Sequence, residues 1–208
     1  STLFVAKGDY GITVFDVTDP LIPVAEGNIS LNNSLFDLVY HDEYLYFTDI
    51  RGLSVLDVTG SAGPTLVGSA DLGGHAGDIV VVDEHAYVNV RGFGIYMVDL
   101  TQHIAPVVAG SYESGADIYD FDVSDGYLYL TNSNNRLLIV DISDPGAPSV
   151  SGDISLTNAA PCVSVDRRYA FVGTIPGGVR VFDVSDPSAP VESGLITSGD
   201  SSDIQAGN

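Results

Sequence analysis

Four aspartates recur at one place in a repeating pattern. Asp37, Asp78, Asp120 and Asp203 each stand at the start of an alternating apolar run, in FDLVY, GDIVV, YDFDV and SDIQ, and Cys162, in PCVSV, takes the matching place in a fifth. The spacings are 41, 42, 42 and 41 residues. Carboxylates brought to one axis by such a repeat raise one another's pKa unless a cation or hydrogen-bond donors compensate them. A site of oxygen ligands alone favours Ca²⁺ or Mg²⁺ over zinc, so Asp37, Asp78, Asp120 and Asp203 are candidate calcium ligands, with Cys162 as the gap. The alternative is that each carboxylate bonds backbone N–H groups, or an arginine, of a neighbouring repeat.

Three residues before these positions stand Ser34, His75, Asp117, Ala159 and Asp200, and here the repeats differ strongly. His75, in GGHAGD, with Asp78, Asp117 and Asp200 has the chemistry of a cation site or an acid–base pair, although a loop histidine among carboxylates also reads as a solvated ion pair. Arg51, Arg91 and Arg136 fall in or beside a second set of loops. Phe36, Phe93 and Tyr119 are aromatics at the same end, suited to stacking on a ligand. His75, Asp117, Asp200, Arg51, Arg91, Arg136, Phe93 and Tyr119 are thus the candidate ligand-binding set. A glycosidase would need two facing acids, for which Asp37 with Asp120 is the candidate pair. No GxSxG elbow, HExxH pair, GxxxxGK[ST] loop or cysteine pair occurs, so hydrolysis has no recognised motif to rest on.

The elements that must hold these residues follow from period-2 hydrophobicity. Five runs end in aspartate: GITVFD, GLSVLD, GIYMVD, RLLIVD and GVRVFD, with Asp16, Asp57, Asp99, Asp141 and Asp183 spaced by 41, 42, 42 and 42 residues. A carboxylate repeated in every unit serves folding, here an Asx turn into the following loop. Before each of these runs lies a second strand, as in YLYFTD and YLYLTN, and before that, in four repeats, the run opened by Asp37, Asp78, Asp120 or Cys162. A DE, DG or DR step turns between those two. A looser fourth strand follows, as in PTLVGSADL.

Four antiparallel strands per repeat of about 42 residues predict an all-β chain: a five-bladed β-propeller of four-stranded antiparallel blades. In four repeats an aromatic follows the key apolar residue of the first strand by eight positions, from Leu38 to Tyr46, Ile79 to Tyr87, Phe121 to Tyr129 and Val163 to Phe171. Counting eight from Ile204 across the chain end arrives at Phe4. The expectation is therefore a single domain over residues 1–208, its ring closed by the C-terminal strand SSDIQAGN joining the N-terminal blade.

Charge bounds the partners. Twenty-eight Asp and Glu face seven Lys and Arg, a formal net charge of −21, which repels phosphate backbones and argues against nucleic acid. No run approaches the roughly 20 apolar residues of a membrane helix. The start, STLFVAKGDYG, has no signal-peptide layout and reads as that of either a mature or a trimmed chain. One cysteine, Cys162, excludes an intrachain disulfide and suits a small buried residue.

LLIVDISDPGAPSV, with GDIVVVDEHAYV and YDFDVSDGYLYL, resembles the LVIVD repeat, and the resemblance covers essentially the whole chain. It implies a propeller of the bacterial or archaeal surface or exterior, with no shared catalytic motif. The expected function is a noncatalytic extracellular binding or scaffolding module, monomeric, with a protein or carbohydrate ligand at the channel mouth. Two alternatives stand beside it: a divalent-cation-dependent hydrolase of glycosidase or nucleotidase type using the mouth carboxylates, and a lectin.

Overall fold

The structure is a computed structural model that describes every residue except 9, 10, 32, 33, 61, 62, 198, 207 and 208. The chain divides into two compact units, Ser1–Ala109 and Gly110–Asn208. Both are built from antiparallel β-sheets, with no α-helix among the described residues.

In the first unit, β1 (Thr2–Ala6), β2 (Ile12–Asp16) and β3 (Val24–Ile29) make a three-stranded sheet. A second sheet follows in strict chain order: β4 (Leu35–His41), β5 (Tyr44–Asp49), β6 (Gly52–Asp57) and β7 (Thr65–Asp71). The third contains β8 (Ala76–Val82), β9 (His85–Val90), β10 (Gly94–Asp99) and β11 (Val107–Tyr112), and the unit boundary falls within β11. The second unit carries β12 (Ile118–Ser124), β13 (Tyr127–Asn132), β14 (Arg136–Asp141) and β15 (Ser149–Ser155), then β16 (Ala159–Asp166), β17 (Tyr169–Ile175), β18 (Gly178–Asp183) and β19 (Val191–Ile196).

These are the nineteen runs expected from the alternation. The twentieth, SSDIQAGN, is not a strand over its described residues, although it lies along β16: the Ala206 N–H donates to Ser164 Oγ at 3.0 Å. Its last two residues are outside the described ones.

The hairpins joining the first two strands of the four-stranded sheets turn in two residues. Asp42 and Glu43 both have positive φ, as do Asp125 and Gly126, matching the right-handed strand twist as type I′ turns do. In the fifth sheet Asp166 pairs with Tyr169, so the turn is Arg167–Arg168, one residue beyond the expected DR step. The dipeptide alone did not reveal the pairing that fixes this position.

Middle strands bury both faces, which is why β5, β9, β13 and β14 read as near-continuous apolar runs. In the first unit Tyr46, Leu53, Val55, Ile79, Val88 and Val98 form one core, and Ile12, Leu35, Leu45, Phe47 and Leu56 another. In the second unit Tyr129, Leu137, Ile139, Val163 and Phe182 do the same. The fourth strands stay largely exposed, with burial confined to one or two positions in β7 and β15.

Candidate functional site

The first strand of each four-stranded sheet is bulged at or beside the recurrent position, held by Asp37, Asp78, Asp120 or Cys162. The register shifts between Leu35 and Leu38, Ala76 and Ile79, Ile118 and Asp120, and Ala159 and Cys162. A bulge takes a residue out of the ladder and re-aims its side chain. The freed Asp37 N–H donates to Thr48 Oγ1 at 3.1 Å, and the buried Thr48 hydroxyl donates in turn to the Gly77 carbonyl of the next sheet at 2.6 Å.

The re-aimed carboxylates reach the same place. Asp37 Oδ1 accepts the Leu38 N–H at 2.8 Å and its Oδ2 the Ile79 N–H of β8 at 3.0 Å. Asp120 repeats this in the second unit, Oδ1 accepting from Phe121 and Oδ2 from Val163 of β16, both at 2.8 Å. Asp122, two residues along the same face, forms a second tier, accepting from Val123 at 2.8 Å, from Val165 at 2.7 Å and from the Ser164 hydroxyl at 3.2 Å. Each carboxylate stitches its sheet to the next.

Cys162 lacks the acceptor oxygen for this task. Its thiol instead donates to the Ser201 carbonyl of the C-terminal segment at 3.6 Å. Burial pushes the thiol pKa up, and the nearby charges of Asp120 and Asp203 add to that. Burial likewise raises the Asp37 carboxyl, with a smaller contribution from Asp78. The recurrent positions are thus electrostatic neighbours inside each unit, Asp37 with Asp78, and Asp120 with Cys162 and Asp203. Within neither unit do three His, Cys, Asp or Glu side chains among the described residues come together as a metal-holding group. Asp78 and Asp203 are exposed.

The aspartates that end the third strands make the expected Asx turns. Asp16, Asp57, Asp99, Asp141 and Asp183 accept the N–H two residues on, from Thr18, Thr59, Thr101, Ser143 and Ser185, at 2.8 to 3.0 Å. The Thr and Ser hydroxyls hold all five carboxyls below the usual range, with the backbone N–H next in effect. Asp183, also paired with Arg168, falls to about 2.

The candidate binding residues divide between the units. In the first, the Arg91 N–H donates to the His75 carbonyl at 2.9 Å. The His75 ring stacks on Phe36, centroids 5.5 Å apart and planes 27° from parallel. Phe36 and Phe93 are 47% and 49% exposed, and the Phe93 ring lies 3.1 Å from where a Cβ on Gly74 would sit, so Gly74 admits it. Arg51 is exposed in the β5–β6 turn, its N–H accepted by Asp49 Oδ1 at 2.7 Å. In the second unit Asp117, Tyr119 and Asp200 are exposed, and Asp117 holds its loop through a backbone bond from Ser133 at 2.8 Å.

Arg136 is placed otherwise. It opens β14, and its guanidinium turns onto β15, donating to Asp153 at 2.5 and 2.7 Å and to Ser155 Oγ at 2.6 Å. Arg136 faces Ser155 directly and Asp153 diagonally across the strand pair, the geometry in which cross-strand ion pairs form. Its proximity to a loop in sequence is not proximity to the ligand surface.

At the opposite end of the sheets lies a device that sequence reasoning missed. A Cβ on Gly68 would stand 2.1 Å from the His103 carbonyl oxygen, one on Gly110 1.9 Å from that of Pro145, and one on Gly152 2.4 Å from that of Pro187. In these three cases the loop after a third strand rests its carbonyl on a glycine of the preceding sheet's fourth strand. The signal was a glycine at a constant place in the fourth strands, as in TLVGS, VVAGS and SVSGD.

Residues 37–71, 73–114, 117–155 and 159–197 match the family described as the LVIVD repeat. No curated protein matches the sequence. Among solved structures, the computationally designed Ika8 protein is similar at 11% identity and a TM-score of 0.75, over 95% of this chain and 60% of that one. The β-propeller domain of Cps50 (Swd1) from Myceliophteria thermophila is similar at 9% identity and 0.72, over 98% and 72%. An S. cerevisiae structure of dbp5 bound to nup159, gle1, ip6 and adp contains a chain similar at 11% and 0.64, over 93% and 58%. The chain therefore spans about 60% of the first of these and less of the last, and at such identities the likeness is one of fold. With repeat matches over most of its length and the fold of β-propellers, the chain belongs to the LVIVD-repeat family.

Proposed function

We propose that this chain is a noncatalytic binding or scaffolding module of the cell exterior, which takes its ligand on the loops joining second to third strands and fourth to first strands. The observation that carries this is the exposed stack of Phe36 on His75 beside Phe93. Large rings held half in solvent by loops on a rigid β scaffold are a common feature of recognition surfaces. Among the similar structures, the S. cerevisiae one contains proteins bound to one another, which makes a protein a reasonable partner class, with carbohydrate the other.

The recurrent aspartates serve the scaffold in this reading. Asp37 and Asp120 each use both oxygens on backbone N–H groups, so we assign these two to joining sheets rather than to calcium or hydrolysis. We further propose that five sheets form one closed ring, the C-terminal segment along β16 serving as the missing inner strand of the β1–β3 sheet.

The test is a chemical-shift or exchange-protection map against candidate ligands, with calcium titration of the melting temperature alongside. Ligand effects centred on Phe36, His75 and Phe93, and a melt indifferent to calcium, are expected. A saturable rise with calcium that Asp78→Asn with Asp203→Asn abolishes would replace this reading with a cation site.

A further inference from the structure

The charges of the chain are distributed unevenly around the aromatic stack. Among the described residues, the arginines with a carboxylate partner are Arg136, Arg167, Arg168 and Arg180. Arg51 and Arg91, the only arginines of the first unit, are exposed and have none among the described residues. In a chain of net charge −21, a guanidinium without a carboxylate is the exception.

Both lie at one end of adjacent sheets, and the backbone links them to the stack. Leu35 pairs with Asp49, which puts Phe36 beside the turn that carries Arg51. Arg91 donates its N–H to His75, and His75 lies on Phe36. Phe93 follows Arg91 by two residues. Two arginines without a carboxylate partner among the described residues are thus carried on turns next to the Phe36–His75 stack, with exposed Asp78 three residues from His75.

We infer that this platform binds a carboxylate-bearing carbohydrate, a uronic-acid oligosaccharide. The inference rests on reading the loops as the ligand surface and names the ligand class. An Arg fork matches a carboxylate in two parallel hydrogen bonds. Flat rings cover the C–H face of a pyranose, and Asp78 is an acceptor for sugar hydroxyls. An acidic peptide fits less well. An extended peptide gains affinity by adding to an open strand edge, and the strands here end in turns whose backbone groups are engaged, as in Arg51 O with Leu72 N–H and Val90 O with Phe93 N–H. Long anionic polymers are repelled by the chain's overall charge, so short oligomers are the better fit.

Calorimetric titration at physiological salt with oligogalacturonate, alginate and hyaluronan fragments tests this, with a neutral cello-oligosaccharide and hexaglutamate as comparators. At least one uronate binds, and Arg51→Gln with Arg91→Gln weakens it tenfold or more while the melting temperature stays unchanged. Phe36→Ala weakens the uronate as well. Equal binding of the neutral oligomer, with loss only on Phe36→Ala, overturns the acidic ligand and retains the loop surface. Preference for hexaglutamate replaces the sugar with a peptide. Binding of no uronate, or uronate binding indifferent to all three substitutions, overturns the inference, and ligand mapping elsewhere on the sheets would remove the loop surface too.

Discussion

Asp120 Oδ2 accepts the Val163 N–H at 2.8 Å, a bond between the first strands of two successive sheets. The Asp37–Ile79 bond is its counterpart in the first unit, at 3.0 Å. Sheets that meet face to face have apolar contact but no ladder to fix their mutual height, and a carboxylate on a bulge supplies that register.

Removing it leaves a partly buried amide without an acceptor, which costs about 1 to 3 kcal/mol. Asp120→Ala and Asp37→Ala are each expected to lower the unfolding free energy by that amount, read as a lower denaturant midpoint at unchanged m-value. Asp120→Asn, which keeps one oxygen acceptor, should lose less. Asp78→Ala, exposed, is the comparison. Alanine variants as stable as the parent would show that the bonds contribute nothing net.

The glycine contacts give a sharper contrast. Gly68→Ala, Gly110→Ala and Gly152→Ala place a methyl group about 2 Å from a carbonyl oxygen, and the loop must move, at about 1 to 3 kcal/mol. Gly27 occupies the corresponding place in β3, but a Cβ there meets nothing among the described residues within 4 Å. Gly27→Ala should be neutral or stabilising by about 0.4 to 1 kcal/mol, because alanine restricts the unfolded chain. Thermal melts of the four variants decide it, and equal losses in all four would overturn the contact.

Much of this was legible in the sequence because strand alternation is a local property. The nineteen runs, the two-residue turns at Asp42–Glu43 and Asp125–Gly126, and the Asx role of Asp16 and its four counterparts each depend on neighbours a few residues away. The recurrence of Asp37 was visible too, but its partner was not, since the Ile79 amide is brought to it by the bulge and by sheet packing. Asp122 hid within an ordinary alternating run, and Arg136 looked like a loop residue until its cross-strand neighbours were placed. The Phe36–His75 stack joins two repeats that no short-range pattern connects.

The aspartates carry opposite signs of pH dependence. Asp16, Asp57, Asp99, Asp141 and Asp183 titrate below the ordinary value of 3.8, Asp183 at about 2. Between those values the unfolded chain binds more protons, so their stabilisation is present above the window and is lost as pH falls through it. Asp37, raised by burial, runs the other way: the folded chain holds its proton longer, and stability falls as pH rises through its range. Acid also relieves the net negative repulsion, so differences between variants are cleaner than a single melt. The melting-temperature gap between parent and Asp183→Asn should be widest above pH 5 and close towards pH 2. A gap constant over that range would refute the assignment.

The C-terminal segment provides the last test. Its Ala206 N–H reaches Ser164, its Ser201 carbonyl takes the Cys162 thiol, and Ile204 Cδ1 lies 3.1 Å from the Cβ position of Gly173. The Ser164–Ala206 bond spans 42 residues, the offset of Asp37 to Ile79 and of Asp122 to Ser164, so the segment lies along β16 where the first strand of a further sheet would run. Among the described residues the β1–β3 sheet has three strands, and β1 is paired to β2 alone. If the segment is that sheet's fourth strand, deleting residues 202–208 exposes the edge of β1 and uncovers the β16 face. Exposed edges recruit other chains, so the truncated protein should aggregate on heating or melt over a broad, non-cooperative range, followed by calorimetry and light scattering. Ile204→Asp, which keeps the backbone, should destabilise in the same direction but remain soluble. A truncated chain that stays monomeric with an unchanged, sharp melt would mean that the ring does not close through this segment.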